Sequence, residues 1–354
     1  MYYPSNESVA VKNDNSDGIN LLPILPASRR RPGETHIDHY FTRSPLQFSV
    51  RLLFSITLHE TVGYSFCPRP SYRSQGWTVS VHPEGKRYAH KITEDRISVI
   101  TEAHVTDPGI TELLEGSLAM IRVLAAKEDV HLSETTDLFV EVDEDSRSCS
   151  YWFADHAHRT IFWLRPVDTN TVGLPDSYSK RRIQYALEEN YWTHVEMFPA
   201  TASQYSMTAL NDLHVILLNA RADALTSDIP TFPYTAEECD RFINLLQCSK
   251  ENVSNPYVTT FVARLWAVVA NHRFSTHFGE DHYRMSSIHS VVEAPAVKRG
   301  LILTAISKAL FNLPVEDRGR NERLWVNELV YSSAWRKFIS GVLQQTIWVS
   351  KTLR

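Results

Sequence analysis

The sequence predicts an α+β fold in which small antiparallel β-hairpins and a meander are followed by a mainly α-helical C-terminal domain. Three observations predict it. Two aromatic segments, 77–90 and 138–164, alternate polar and apolar residues at period two around turn residues. Between them, Leu113, Leu114, Leu118, Ile121, Leu124 and Ala125 recur at helical spacing. Beyond Gly173 and Pro175 the periodicity is helical throughout, punctuated by Pro199, Pro230, Pro233 and Pro314.

Taken in order, residues 1–75 read as a disordered or unassigned leader. Its first part mixes Asn, Asp, Ser, Pro and Arg without apolar periodicity, and Arg29-Arg30-Arg31 beside prolines reads as solvated linker. The apolar run Phe48–Phe54 has no evident partner element. Residues 76–170 form the β-rich region. Thr78-Val79-Ser80-Val81, the turn Pro83-Glu84-Gly85 and Arg87-Tyr88-Ala89-His90 make a hairpin. Pro108 and Gly109 introduce a bridging amphipathic helix over about 109–130. Leu138–Val142, Ser150–Ala154 and Thr160–Leu164 then make a three-stranded meander, turning at Asp143–Ser146 and Asp155–Arg159. Residues 176–350 form the helical domain, with helices expected at 179–197, 202–224, 236–248, 256–274, 295–311 and 321–345. Thr235 followed by Glu238 has the form of a capping box.

Bulk properties narrow the function classes. With 43% hydrophobic and 22% charged residues over 354 positions, the chain has enough apolar content for one or two cores, which excludes global disorder. A formal net charge of -5 lacks the concentrated Lys and Arg of a nucleic-acid footprint, so no nucleic-acid partner is expected. Cys67, Cys149, Cys239 and Cys248 are scattered without a Cys-x-x-Cys pair, which fits a reducing, intracellular and cytoplasmic setting. No apolar run is long enough to span a bilayer.

The aromatic segments carry the functional expectation. Trp77, Gly85 and Tyr88 have the spacing of the first half of a WW module, and Trp152-Phe153-Ala154-Asp155-His156 with Thr160, Trp163 and Pro166 has that of the second half. In such a module the leading Trp closes the sheet against the terminal proline, whereas the second Trp and a strand-two Tyr form the groove for proline. The first set lacks the groove, because Val99 and Glu102 stand where its Trp and proline would be. Trp77, Gly85, Tyr88 and Pro166 are therefore expected to be structural. The second set lacks the closing Trp, whose place is Glu141, but keeps a binding face. Trp152 and Trp163 are expected as walls of a proline slot, with Ala154, His156 and Arg159 as an adjoining pocket. Pro70 and Tyr72, in Arg69-Pro70-Ser71-Tyr72, offer an intramolecular ligand. The alternative is that these rings are the packing face of a sheet, and the exposure of Trp152 and Trp163 separates the two readings.

Catalytic and metal signatures are sparse. His272, His277 and His282 are spaced by five and five around Glu280 and Asp281, whereas ligands on one helix sit at i and i+4. Histidines decorating a helix C-terminus, which the helix dipole favours, account for them better than a metal site does. His59-Glu60 has Gly63 where a zincin has its second His. His194 and Glu196 stand two apart, on different faces of a helix, and the aromatic residues around them are expected to pack that helix against the second sheet. Neither a nucleophile elbow nor a phosphate-cradling glycine loop is present, and no cofactor is expected.

Gly76-Trp77, His82-Pro83-Glu84-Gly85, Tyr88, Tyr151-Trp152-Phe153, Asp155-His156, Ile161-Phe162-Trp163-Leu164, Tyr191-Trp192, His194, Glu196-Met197-Phe198-Pro199, Ala270-Asn271-His272-Arg273-Phe274 and Trp335-Arg336-Lys337-Phe338 together resemble a group of uncharacterised WW-like proteins of mushroom-forming fungi. The resemblance covers roughly three quarters of the chain. It implies no established activity, and it implies membrane association in relatives that continue into apolar helices. The expected function is a non-enzymatic interaction or scaffold protein that recognises proline-containing segments. The alternative is an accessory enzyme or metal-dependent protein of a fungal metabolic pathway, centred on the helical domain.

Overall fold

The computed structural model describes residues 19–29, 72–74, 76–175, 177, 179–202, 206–227, 230–283, 325–326 and 329–330. The chain divides into two compact units, one formed by Met1–Leu174 with Thr193–Ser203 and the other by Pro175–Trp192 with Gln204–Arg354.

The first unit is built on an eight-stranded mixed sheet. Its strands are β1 (Asn20–Pro23), β2 (Tyr72–Ser74), β3 (Trp77–Val81), β4 (Arg87–Ile92), β5 (Ser98–Thr101), β6 (Thr136–Asp143), β7 (Ser148–Asp155) and β8 (Thr160–Phe162). The order across the sheet is β1-β7-β6-β5-β4-β3-β2, with β8 also pairing with β7. β1 and β8 divide one edge of β7 between them: β1 takes Ser148 to Tyr151, and β8 takes Phe153 to Asp155.

Strands form where the period-two pattern places them, but they assemble differently from expectation. β5 runs parallel to β6, pairing Val99 with Leu138 and Ile100 with Phe139, and β1 runs parallel to β7. The expected pair of small antiparallel WW-like modules is therefore replaced by one continuous sheet in an α/β fold. The physical reason lies at Ser98–Thr101: Val99 and Ile100 are 1% and 0% exposed, so the position assigned to a missing groove residue is a central strand that joins the two hairpin sets. The leader also needs correction, because Asn20–Pro23 and Tyr72–Ser74 are strands of this sheet. Arg29, ending a short 3-10 turn after β1, is tied to Glu102 at 3.1 Å and to Glu141.

The β3–β4 hairpin closes through His82 N–H to Lys86 O at 2.8 Å and Gly85 N–H to His82 O at 2.7 Å. Gly85 sits at φ +95°, a conformation that a side chain would strain. The parallel β5–β6 crossover is helix α1 (Pro108–Lys127). Asp107 caps it by accepting from Gly109 N and Ile110 N, and Pro108 occupies the first turn, where its missing N–H costs nothing. Leu114, Leu118, Ile121 and Ala125 form its buried stripe against Trp77, Val79, Ala89, Val99, Leu138, Val140, Tyr151 and Phe153. Full burial of each such Leu or Ile contributes roughly 1.5–3 kcal/mol. The short helices α2 (Thr169–Val172) and α4 (Pro199–Ala202) also belong to this unit.

The second unit is helical in its described part. Helix α3 (Lys180–Met197) contributes residues up to Trp192, joined by α5 (Ser206–Thr226), α6 (Ala236–Ser249) and α7 (Pro256–Ser275). The capping box forms: Thr235 N–H donates to Glu238 Oε2 at 2.9 Å, and Glu238 N–H to Thr235 Oγ1 at 3.2 Å. Trp266 stacks on Trp192 at 5.3 Å and donates from Nε1 to Ala209 O at 2.9 Å. The helix expected at 295–311 lies outside the described residues. Within 321–345, the four described residues form two paired strands, β9 (Trp325–Val326) and β10 (Leu329–Val330), rather than helix. Among the described residues no helix is long and apolar enough to cross a membrane.

Candidate functional site

Strand alternation gives the sheet two unlike faces. In β6, Leu138 and Val140 point to α1, so Asp137 and Phe139 point away; in β7, Tyr151 and Phe153 point to α1, so Trp152 and Ala154 point away. Register places Phe139 beside Trp152 and Asp137 beside Ala154. The two rings stack at 3.9 Å. Ala154 is the smallest side chain that could stand next to the Asp137 carboxylate, and it leaves room for an imidazole there.

Residues Thr193–Ala202 lie over this second face as a strap, made of the last turn of α3, Phe198 and α4. Phe198 packs on Phe139 at 5.4 Å and edge-on to Tyr88 at 5.3 Å. Ala200 N–H donates to the Tyr88 hydroxyl at 3.1 Å. His82 Nε2 meets Glu196 O at 2.8 Å. Pro199 is buried within the strap.

Beneath the strap sits a polar cluster centred on one carboxylate oxygen. Asp137 Oδ2 is 3.0 Å from His156 Nε2, 3.1 Å from His194 Nε2 and 2.8 Å from Thr201 Oγ1. The Asp137, His156 and His194 side chains are 4%, 2% and 0% exposed. Their ligand-type atoms lie within 4.8 Å of one another, and two imidazoles with one carboxylate are a donor set that suits several divalent metals.

Proton placement decides against a metal here. Trp152 Nε1–H donates to His194 Nδ1 at 3.1 Å, and an indole nitrogen can only donate. His194 Nδ1 therefore holds a lone pair, and the single proton of the neutral ring is on Nε2, directed at Asp137. A metal at Nε2 would move that proton to Nδ1, against the indole N–H. The cluster is a hydrogen-bond relay from Trp152 through His194 to Asp137, with His156 and Thr201 completing the carboxylate's shell.

Electrostatics follow from this arrangement. Burial alone would push the Asp137 carboxyl up, but the attraction of His156, 3.0 Å away, and the hydrogen bond from His194 hold it well below the usual carboxylate range. Burial pushes His194 down against the pull of Asp137, which keeps the ring neutral at neutral pH. His90, further along the face, is lowered by burial with Asp137 opposing. Burial lifts Tyr88 to about 12, although the Ala200 N–H works the other way.

The sequence-predicted site residues scatter around this face. Trp152 is 0% exposed and lies in the relay, Ala154 adjoins Asp137, and His156 is a member of the cluster. Arg159 stands in the turn after β7 at φ 52°. Trp163 is half-buried against the α1-side core and donates from Nε1 to Ile24 O at 3.1 Å. Trp152 and Trp163 thus belong to opposite faces of the sheet, and they do not form a slot. Trp77 is buried with the Lys91 ammonium 4.5 Å above its ring, Tyr88 is buried under the strap, and Pro166 is exposed. Pro70 lies outside the described residues, and Tyr72 is in edge strand β2, paired with Val79. In the second unit, His272 rests against the Phe232 ring at 5.0 Å, His277 is buried at φ 54° and His282 is exposed. Among the described residues these three histidines form no metal-ligand group.

Sequence reasoning missed Asp137 and Thr201, and it placed His194 and Glu196 on different faces of a helix without a partner for either. The one available signal was Asp137 in phase with Phe139, a charge on the strand face that also carries a large aromatic. Comparison with protein-family models, with curated proteins and with solved structures finds no match.

Proposed function

We propose that the first unit is a non-catalytic recognition fold whose aromatic sheet face holds a proline-bearing segment, and that the occupant in this conformation is the chain's own strap. The observation that carries the reading is the seating of Phe198-Pro199-Ala200: Phe198 lies against Phe139 and Tyr88, and Ala200 N–H reaches the Tyr88 hydroxyl. Aromatic walls with one backbone hydrogen bond are the usual chemistry for gripping a proline-containing stretch. The seat differs from the expected Trp152–Trp163 slot, and its occupant is partly helical rather than extended. Against catalysis in the cluster stands the commitment of both His194 nitrogens and of Asp137 Oδ2 to internal partners.

A tethered occupant competes at an effective concentration of about millimolar, so a free ligand is masked until the strap is weakened. The test is a labelled peptide of residues 193–203 titrated into full-length wild type and Phe198→Ala. Saturable binding is expected for the variant and at least tenfold weaker binding for wild type. Adding Tyr88→Phe should cost a few-fold more. A folded Phe198→Ala protein that leaves the peptide unbound would refute the reading, and Phe198→Leu serves if the alanine variant fails to fold.

A further inference from the structure

We propose that the strap Thr193–Ala202 is an acid-labile latch, released from the sheet when the His194 imidazole takes up a second proton. The inference rests on the strap being the occupant of a recognition face, and adds a condition under which that face is cleared.

The His194 side chain bonds at both ends of its ring, to Trp152 through Nδ1 and to Asp137 through Nε2. A second proton can go only to Nδ1. That places an N–H against the Trp152 indole N–H at a separation of 3.1 Å, and neither group has water to turn to, since both residues are 0% exposed. Two buried donors then face each other without an acceptor. Displacing the strap relieves the conflict by returning the ring to water, at the expense of ties that include Thr201 Oγ1 to Asp137, Ala200 N–H to Tyr88, Glu196 O to His82 and the packing of Phe198 on Phe139 and Tyr88.

The titratable groups around the ring act in different directions. Asp137 from β6 stays ionised and holds Nε2, so it favours the second proton without offering anything to Nδ1. His156, at the end of β7, shares the same oxygen and opposes added charge. From β4, His90 lies near enough to feel Asp137, and Tyr88 is neutral throughout the acid range. His82 and Glu196 meet through the Glu196 carbonyl, away from the relay. Glu84 N–H donates to His82 Nδ1 at 3.1 Å, so His82 also bonds at both ring nitrogens, and the His194→Gln variant assigns the acid response between the two rings.

Glutamine separates the proton from the packing. In His194→Gln the amide oxygen can accept from Trp152 and the amide nitrogen can donate to Asp137, with no titration. Hydrogen exchange of full-length protein at pH 7.5 and 5.0, corrected for intrinsic rates, reads the latch without any peptide ligand, so it stands or falls separately from the recognition test. Wild type should lose at least tenfold protection over residues 194–201 at the lower pH while β6 amides stay protected, and His194→Gln should keep its protection at both. Equal loss in His194→Gln overturns the proposal, as does simultaneous loss over the strap and β6, or an effect removed by His156→Gln instead. Should His194→Gln fail to fold, wild type alone decides through the Trp152 indole resonance. That resonance must lose its hydrogen-bonded shift in step with strap exchange, and an unmoved resonance overturns the latch.

Discussion

At the scale of single residues, Asp137 shows how a charge survives on a dehydrated sheet face. Its oxygen accepts from the His194 imidazole and the Thr201 hydroxyl and lies 3.0 Å from His156 Nε2, so the desolvation that opposes ionisation is outweighed. Asp137→Asn keeps the shape but replaces the shared acceptor with a weaker one. Removing one partner of a buried charged set costs about 3–5 kcal/mol, which urea unfolding of the variant should read. Linkage gives the acid side as well. The depressed Asp137 carboxyl contributes stability that is present above its ordinary value of 3.8 and lost as pH falls below it. Depressed His194 adds an earlier loss, beginning as pH falls through its ordinary 6.5. On the alkaline side, Tyr88 is raised from 10.0 to about 12, so the unfolded chain releases its proton first. Stability should be full below pH 10 and fall by roughly 2–3 kcal/mol as pH rises toward 12, at about 1.4 kcal/mol per unit. Tyr88→Phe should flatten that limb of a pH–stability curve.

At the scale of elements, local chemistry and packing contribute separately. α1 starts where Asp107 and Pro108 place it and turns Leu114, Leu118 and Ile121 to the sheet. Asp107→Ala removes two capping bonds and should cost about 1 kcal/mol, whereas Leu118→Ala opens a cavity in the core and should cost about 2–5 kcal/mol. A thermal melt of the two variants checks the ratio. The strap is the contrasting element. Its helical turn was legible from periodicity, but His194 and Glu196 at a spacing of two gave no hint of what each would meet. His194 meets a strand 57 positions earlier in sequence, and that partner is fixed by the fold alone.

At the scale of the whole molecule, the first unit is discontinuous in sequence, since its last piece, Thr193–Ser203, follows residues of the second unit. A chain ended at Leu174 lacks the cover over Tyr88, Phe139 and Trp152, and should bind a hydrophobic dye and melt at lower temperature than the full chain. Added 193–203 peptide should reverse part of both effects. The sequence by itself determined most strand and helix positions, the α1 cap, the Gly85 turn and the capping box at Thr235, because each depends on residues within about four positions of one another. It did not determine that Ser98–Thr101 is a central strand, that β5 and β6 run parallel, or that Trp152 and Trp163 lie on opposite faces. Those are non-local choices. Short apolar runs are compatible with several pairings, and only the simultaneous burial of both sheet faces selects one. The same selection turned a presumed ligand slot into a buried relay, since a tryptophan's role depends on which face the register gives it.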